Sequence, residues 1–257
     1  MILRRLTQHV KDQNWFAVAL DFFIVVAGIL IALQVSNWNE NRIERELEQD
    51  YINRIQSDLL ANKEDMKTRV AYFSQVRTHA LAALDDLEKQ TSTRDEQFLI
   101  DSFIASFALV RPLQRHTYDE LLSAGAMSTI SDVAIRDRIA EYYRVSEGTE
   151  QFFNSVSPYG DVLARIMPYR VSAKLRAGGC NANFSSDATG TISATIPQTC
   201  SPGLSPEETV SATEKLLSSN LGPELSHALT DFDLKLRLFR LYIDRSQNLY
   251  DYLEEIK

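Results

Sequence analysis

Apolar positions follow different rules in different parts of this chain. From residue 15 to 35 they are almost continuous, reading WFAVALDFFIVVAGILIALQV. From residue 52 they thin to Ile52, Ile55, Leu59, Met66, Val70, Phe73, Ala80, Leu84 and Leu87, mostly three- and four-residue steps or their sums, the spacing of one helix face. Near the C-terminus a heptad runs through Leu225, Leu229, Phe232, Leu236, Phe239, Ile243, Ser246, Tyr250 and Leu253. Such a seam packs antiparallel on the first long helix or forms a coiled coil with a partner; packing within the chain is the expectation.

The continuous stretch holds about 21 residues, roughly 31 Å of helix, which is enough to cross a hydrocarbon layer of about 30 Å. Trp15 and Trp38 bracket it, as indoles do at the two membrane interfaces. A second apolar stretch, residues 98–110, is shorter and carries Asp101, so it reads as a buried helix of a bundle. One transmembrane helix is therefore expected, at residues 15–38.

No Pro or Gly lies between Gln34 and Gln90, which predicts that the membrane helix continues into a long first helix. Thr93 with Glu96, and Thr117 with Glu120, have the spacing of capping boxes, the second helix ending at Gly125. Asp132 is a third N-cap, and Ser205-Pro206-Glu207-Glu208 combines an N-cap, a first-turn proline and a capping glutamate. Pro223 breaks or restarts the chain before its last helix. The fold class is all-α: one N-terminal transmembrane helix continuing into an extracytoplasmic up-and-down helical bundle. Residues 1–14 form a cytoplasmic segment and 39–257 the bundle, interrupted by an irregular loop at 177–206 rich in Gly, Ser, Thr, Asn and Pro.

Charge sets the orientation. Arg4, Arg5 and Lys11 precede the span and mixed charges follow it, so the positive-inside bias puts the N-terminus in the cytoplasm. A cleaved signal peptide shares the basic start, but no small-x-small site follows the apolar stretch. In a bacterium the bundle then lies in the periplasm, anchored in the inner membrane. The only two cysteines, Cys180 and Cys200, both fall in the irregular loop, where an oxidising compartment allows a disulfide. A net charge of −8 argues against nucleic-acid binding, which selects for clustered Lys and Arg.

Asp21 stands within the span, where a carboxyl is costly unless it faces protein or water. At 100° per residue it shares a face with Ala17, Val25, Gly28 and Ala32. Gly28 and Ala32 form a small-xxx-small pair of the kind that lets helices approach closely. That face points to another integral membrane protein or a second copy. Alternatively, Asp21 reaches the cytoplasmic interface or is protonated.

Two stretches resemble a bacterial family of single-span membrane proteins known as a domain of unknown function: GILIALQVSNWNENR at 28–42 and TYDELLSAGAMSTISDVAIRDRIAEYY at 117–143. The resemblance implies a basic start, one span, a W-N-E exit and a helical extracytoplasmic region. It implies no activity.

Candidate chemistry is sparse. His9, His79, His116 and His227 are scattered and form no metal-binding spacing. His116 beside Asp119 and Glu120 suggests acid/base work, but the capping box explains Glu120 without it. No nucleophile elbow, P-loop or dinucleotide fingerprint occurs. No catalytic residue, metal or cofactor is expected. Arg111, Arg115, Arg136, Arg138 and Arg144 are either a solvated face or a site for an anionic ligand. The expected function is a non-enzymatic, membrane-anchored interaction protein, an accessory or scaffold subunit, embedded in the lipid bilayer. The alternative is a ligand-sensing helical bundle that acts through a partner.

Overall fold

A computed structural model of the protein describes residues 15–89, 95–186 and 192–255, and the side chains of all of these except 15–19 and 21. Eight α-helices are described: α1 (Trp15–Lys89), α2 (Glu96–Ile104), α3 (His116–Ser123), α4 (Val133–Phe153), α5 (Tyr159–Ile166), α6 (Tyr169–Ala177), α7 (Pro206–Leu217) and α8 (Gly222–Glu255). A 3₁₀ turn spans Met127–Thr129, and the strands β1 (Asn183–Ser186) and β2 (Ile192–Thr195) pair antiparallel. The chain divides into two units, residues 1–51 and 52–257.

In the second unit the predicted stripes close on each other. Ile55, Leu59, Met66, Phe73 and Ala80 of α1 are fully or almost fully buried, and Val70, Leu84 and Leu87 pack at the edge of the core. The heptad of α8 meets them within the chain: the Phe73 ring lies 5.8 Å from that of Phe232 and 5.7 Å from that of Phe239. Reading α1 forward, partners on α8 run backward, from Gln56 with Glu254, through Lys63 with Gln247, to Arg77 with Asp233. The two helices are therefore antiparallel. Helix α4 is antiparallel to α8 as well, through Tyr142 with Ser246, Thr149 with Tyr242 and Phe153 with Phe239.

The expected up-and-down path needs a correction where the chain returns between α1 and α4. The predicted buried helix at 98–110 stops at Ile104, and after a turn at 105–107 the chain runs without regular secondary structure to Arg115. Its backbone groups lack a helical ladder and must find other partners. A polar stripe on α1, absent from the sequence reading, supplies many of them. Arg69 Nη2 donates to Arg111 O at 2.6 Å, Asn62 brackets Gln114 through its N–H at 2.7 Å and its carbonyl at 2.8 Å, and Asp58 accepts the Thr117 N–H at 3.1 Å.

One capping expectation fails. Thr117 and Glu120 form no capping box: α3 begins at His116, Arg115 at its N-cap gives no side-chain bond, Asp58 takes the Thr117 N–H, and Glu120 pairs with Arg54. Tertiary partners displaced the local ones. Helix α2 is capped by Asp95, which accepts from Phe98 N at 3.1 Å, while Thr93 lies outside the described residues. The Asp132 cap and the reciprocal Ser205–Glu208 box form as expected. So does the α3 stop: Gly125, at φ +65°, donates to Leu122 O and Ala126 donates to Leu121 O, the double closure that favours glycine there.

The stretch 177–206 is not wholly irregular, since β1 and β2 form a hairpin within it. It is tied by a Cys180–Cys200 disulfide with Cα atoms 5.1 Å apart. Gly178 is needed here, because a Cβ would lie 2.4 Å from Pro202 Cα.

Candidate functional site

The sequence-predicted site lies in the first unit. Val25, Gly28 and Ala32 are exposed on α1, and a Cβ added at Gly28 would meet nothing within 4 Å. Ala17 and Asp21 belong to α1, but their side chains fall outside the described ones, as does that of Trp15. Trp38 is exposed. Most of the stretch is equally bare: Phe22 and Phe23 are each 70 % exposed and Ile31 is 64 % exposed. This helix is long and apolar enough to cross a membrane, and none of its apolar window is buried.

A second candidate site, missed by the sequence reading, lies in the second unit. A cleft of about 420 Å³ opens between α1, the irregular segment, the start of α3 and β2. Its polar wall is the stripe Asp58, Asn62 and Asp65, spaced by four and three residues so that all project from one helix face. Asp65 joins two guanidinium groups: Oδ2 accepts from Arg69 Nε at 2.6 Å and Oδ1 lies 2.5 Å from Arg111 Nη2. Arg69 is fully buried and donates also to Asn154 at 3.4 Å. Arg111 donates through Nη1 to Ile192 O at 2.8 Å, and its Nε has no hydrogen-bond partner among the described residues. Burial pushes the Arg111 guanidinium below its usual range, with Asp65 opposing that shift and Arg69 adding to it. At the other end of the stripe Asp58 spends Oδ2 on Thr117, and His116 also lines the cleft.

The five arginines flagged by sequence do not converge. Arg111 enters this cleft, whereas Arg115 pairs with Asp119 at 2.8 Å and Arg136 donates to Ile130 O at 2.6 Å. Arg138 stacks over the Tyr252 ring at 3.8 Å, and Arg144 pairs with Glu141. Of the histidines, His79 Nδ1 meets Asp101 Oδ1 at 2.6 Å, His227 is 3.8 Å from Asp231, and His9 lies outside the described residues. Among the described residues no group of three His, Cys, Asp or Glu side chains is placed to hold a metal. The signal for the cleft was present in the sequence as polar residues 58, 62, 65 and 69 at helical spacing beside the apolar stripe.

Compared with known proteins, the chain matches no family model, and no curated protein or solved structure is similar to it.

Proposed function

We propose that this protein is a membrane-anchored interaction protein: an accessory or scaffold subunit whose first-unit helix crosses a bilayer and associates there with another integral membrane protein or a second copy. One observation carries the reading. The apolar side chains of residues 22–35 are exposed except the partly covered Val26 and Ala27, while the second unit buries its own apolar stripes without them. A continuous apolar surface of this length has no favourable state in water and a favourable one in hydrocarbon.

The basic residues before the span favour a cytoplasmic N-terminus. The Cys180–Cys200 bridge fits an oxidising compartment for the bundle, which in a bacterium is the periplasm. The resemblance of residues 28–42 and 117–143 to the single-span bacterial family supports the same inner-membrane topology. Within the span, the face of Ala17, Asp21, Val25, Gly28 and Ala32 is the contact surface, because a carboxyl in hydrocarbon calls for a protein or water partner.

The test is purification of the tagged full chain in a mild detergent, with mass spectrometry of what accompanies it. Wild type is expected to bring down one membrane protein at fixed ratio, or itself. Gly28→Leu with Asp21→Leu is expected to abolish that association while leaving insertion intact. An unchanged set of companions and an unchanged oligomeric state in the double variant would overturn the proposed interface. A ligand-sensing role is the second reading, favoured by the cleft in the bundle.

A further inference from the structure

A groove of about 410 Å³ lies between α4 and α8 and shares no residue with the α1 cleft. Its buried lining is Tyr142 and Leu249. The Tyr142 hydroxyl is committed to Ser246 at 2.8 Å, so the groove meets its ring. Arg245 is the unusual residue there. It is half-buried, with its guanidinium centre 5.8 Å from the Tyr242 ring, and its Nε is closed to solvent without a hydrogen-bond partner among the described residues. Nη1 and Nη2 are not closed off, and no hydrogen bond or ion pair engages them among the described residues, so both remain free to donate. The chain has 35 acidic residues against 27 Lys and Arg, yet none of the described ones pairs with Arg245. A guanidinium that has lost part of its hydration and gained no anion marks a place for one.

The surrounding charge favours a monoanion. Arg138, stacked over the Tyr252 ring at 3.8 Å, lines the groove as a second cation, and the stacking holds its planar group in place. Two carboxylates share the groove: Glu141, which Arg144 neutralises, and Asp137, which has no counter-ion among the described residues. Two guanidinium groups against one uncompensated carboxylate leave a net charge of +1. The volume falls in the range of small-molecule sites, where an apolar lining carries a few polar groups that fix orientation.

We infer that this groove binds a small aryl carboxylate, with its carboxylate on Nη1 and Nη2 of Arg245 and its ring over Tyr142 and Leu249. Two terminal guanidinium nitrogens match the two oxygens of a carboxylate, and partial burial strengthens that contact by excluding water. Arg138 adds attraction from the side and Asp137 opposes it. The site does not depend on what the membrane helix associates with.

The experiment is fluorine NMR titration of the full chain in a non-ionic detergent with para-fluorophenylacetate, with para-fluorophenylacetamide, and with trifluoroacetate. Empty micelles titrated alongside correct for partition of the ring into detergent. The aryl acid is expected to bind saturably. The amide, which lacks the charge, and trifluoroacetate, which lacks the ring, are each expected to bind at least about tenfold more weakly. Arg245→Gln is expected to lose about tenfold for the acid while leaving the already weak affinity for the amide unchanged. Asp137→Asn removes the opposing carboxylate from an exposed position and is expected to tighten the acid by about twofold, again without effect on the amide. Thermal melts of both variants separate loss of binding from loss of fold. Equal affinity for acid and amide, no saturable binding of the acid, unchanged acid affinity in well-folded Arg245→Gln, or weaker acid binding in well-folded Asp137→Asn would each overturn the inference.

Discussion

Residues 22–35 and residues 52–87 belong to one helix by backbone geometry, yet they solve opposite problems. The first stretch is almost continuously apolar and buries none of it. The second confines its apolar side chains to a stripe, buries them against α8, and alternates them with a polar stripe that holds an irregular segment in place. Helical hydrogen bonding is the same in both; what differs is the medium that each surface selects. A helix apolar all round has no face left for water and needs lipid or protein on every side. A helix with one apolar face is stabilised by folding that face inward.

The sharpest way to break this comparison is to truncate one phenylalanine from each stretch. Phe73→Ala removes a buried ring in contact with Tyr72, Phe232 and Phe239 and is expected to cost about 3–5 kcal/mol of bundle stability. Phe23→Ala, on a side chain 70 % exposed, is expected to leave the bundle's denaturation midpoint unchanged. Urea unfolding followed by circular dichroism in detergent decides it; equal losses in both variants would erase the distinction.

Removing the disulfide should have the next largest effect. With Cys180 and Cys200 20 positions apart, replacing both by Ala is expected to cost about 3 kcal/mol, mainly by freeing the unfolded chain. Differential scanning calorimetry of the double variant, set beside the reduced wild type, would show matching drops in melting temperature. No drop would mean that the hairpin region adds nothing to the bundle.

A local cap gives a smaller effect. Asp132 accepts from Ala134 N at 2.6 Å, and Asp132→Ala is expected to cost about 1 kcal/mol, read from the same urea curves. Smallest of all is a pH effect at Glu208. A hydrogen bond from Lys174, and then one from the Ser205 backbone N–H, hold its carboxyl below the usual value. A carboxyl that is more acidic when folded adds stability above its unfolded pKa and loses it as pH falls through the folded one. Glu208→Gln should therefore lower stability slightly in the neutral region and match wild type at the acid end, which flattens the acid limb of the stability curve. A variant whose acid limb matches wild type would show that the contact contributes nothing.

Much of the architecture was legible because its causes are local. Continuous apolarity at 15–35, the stripe from Ile52 to Leu87, the heptad of α8, the Asp132 cap, the Ser205 box and the Gly125 stop each depend on residues within a few turns of one another. Even the cysteine pairing was readable, since only one partner existed. The failures share a different cause. Thr117 and Glu120 had the right spacing for a capping box, but Asp58 and Arg54, more than 50 residues away, took their place. Residues 105–110 read as the end of a buried helix, yet the helix stops at Ile104, and the polar stripe of α1 instead holds the backbone of Arg111 and Gln114 beyond it.

By itself, then, the sequence determined where helices form, which of their faces are apolar, and that one of them suits hydrocarbon. Periodicity and composition act over single turns, so they can be read without the fold. Only the tertiary structure decided that the α8 seam closes within the chain, that the connection between α2 and α3 lacks regular secondary structure, and that Asp58, Asp65 and Arg111 share a cleft. Those outcomes rest on charges and hydrogen bonds between segments distant in sequence, whose strength is set by burial that only the assembled fold creates.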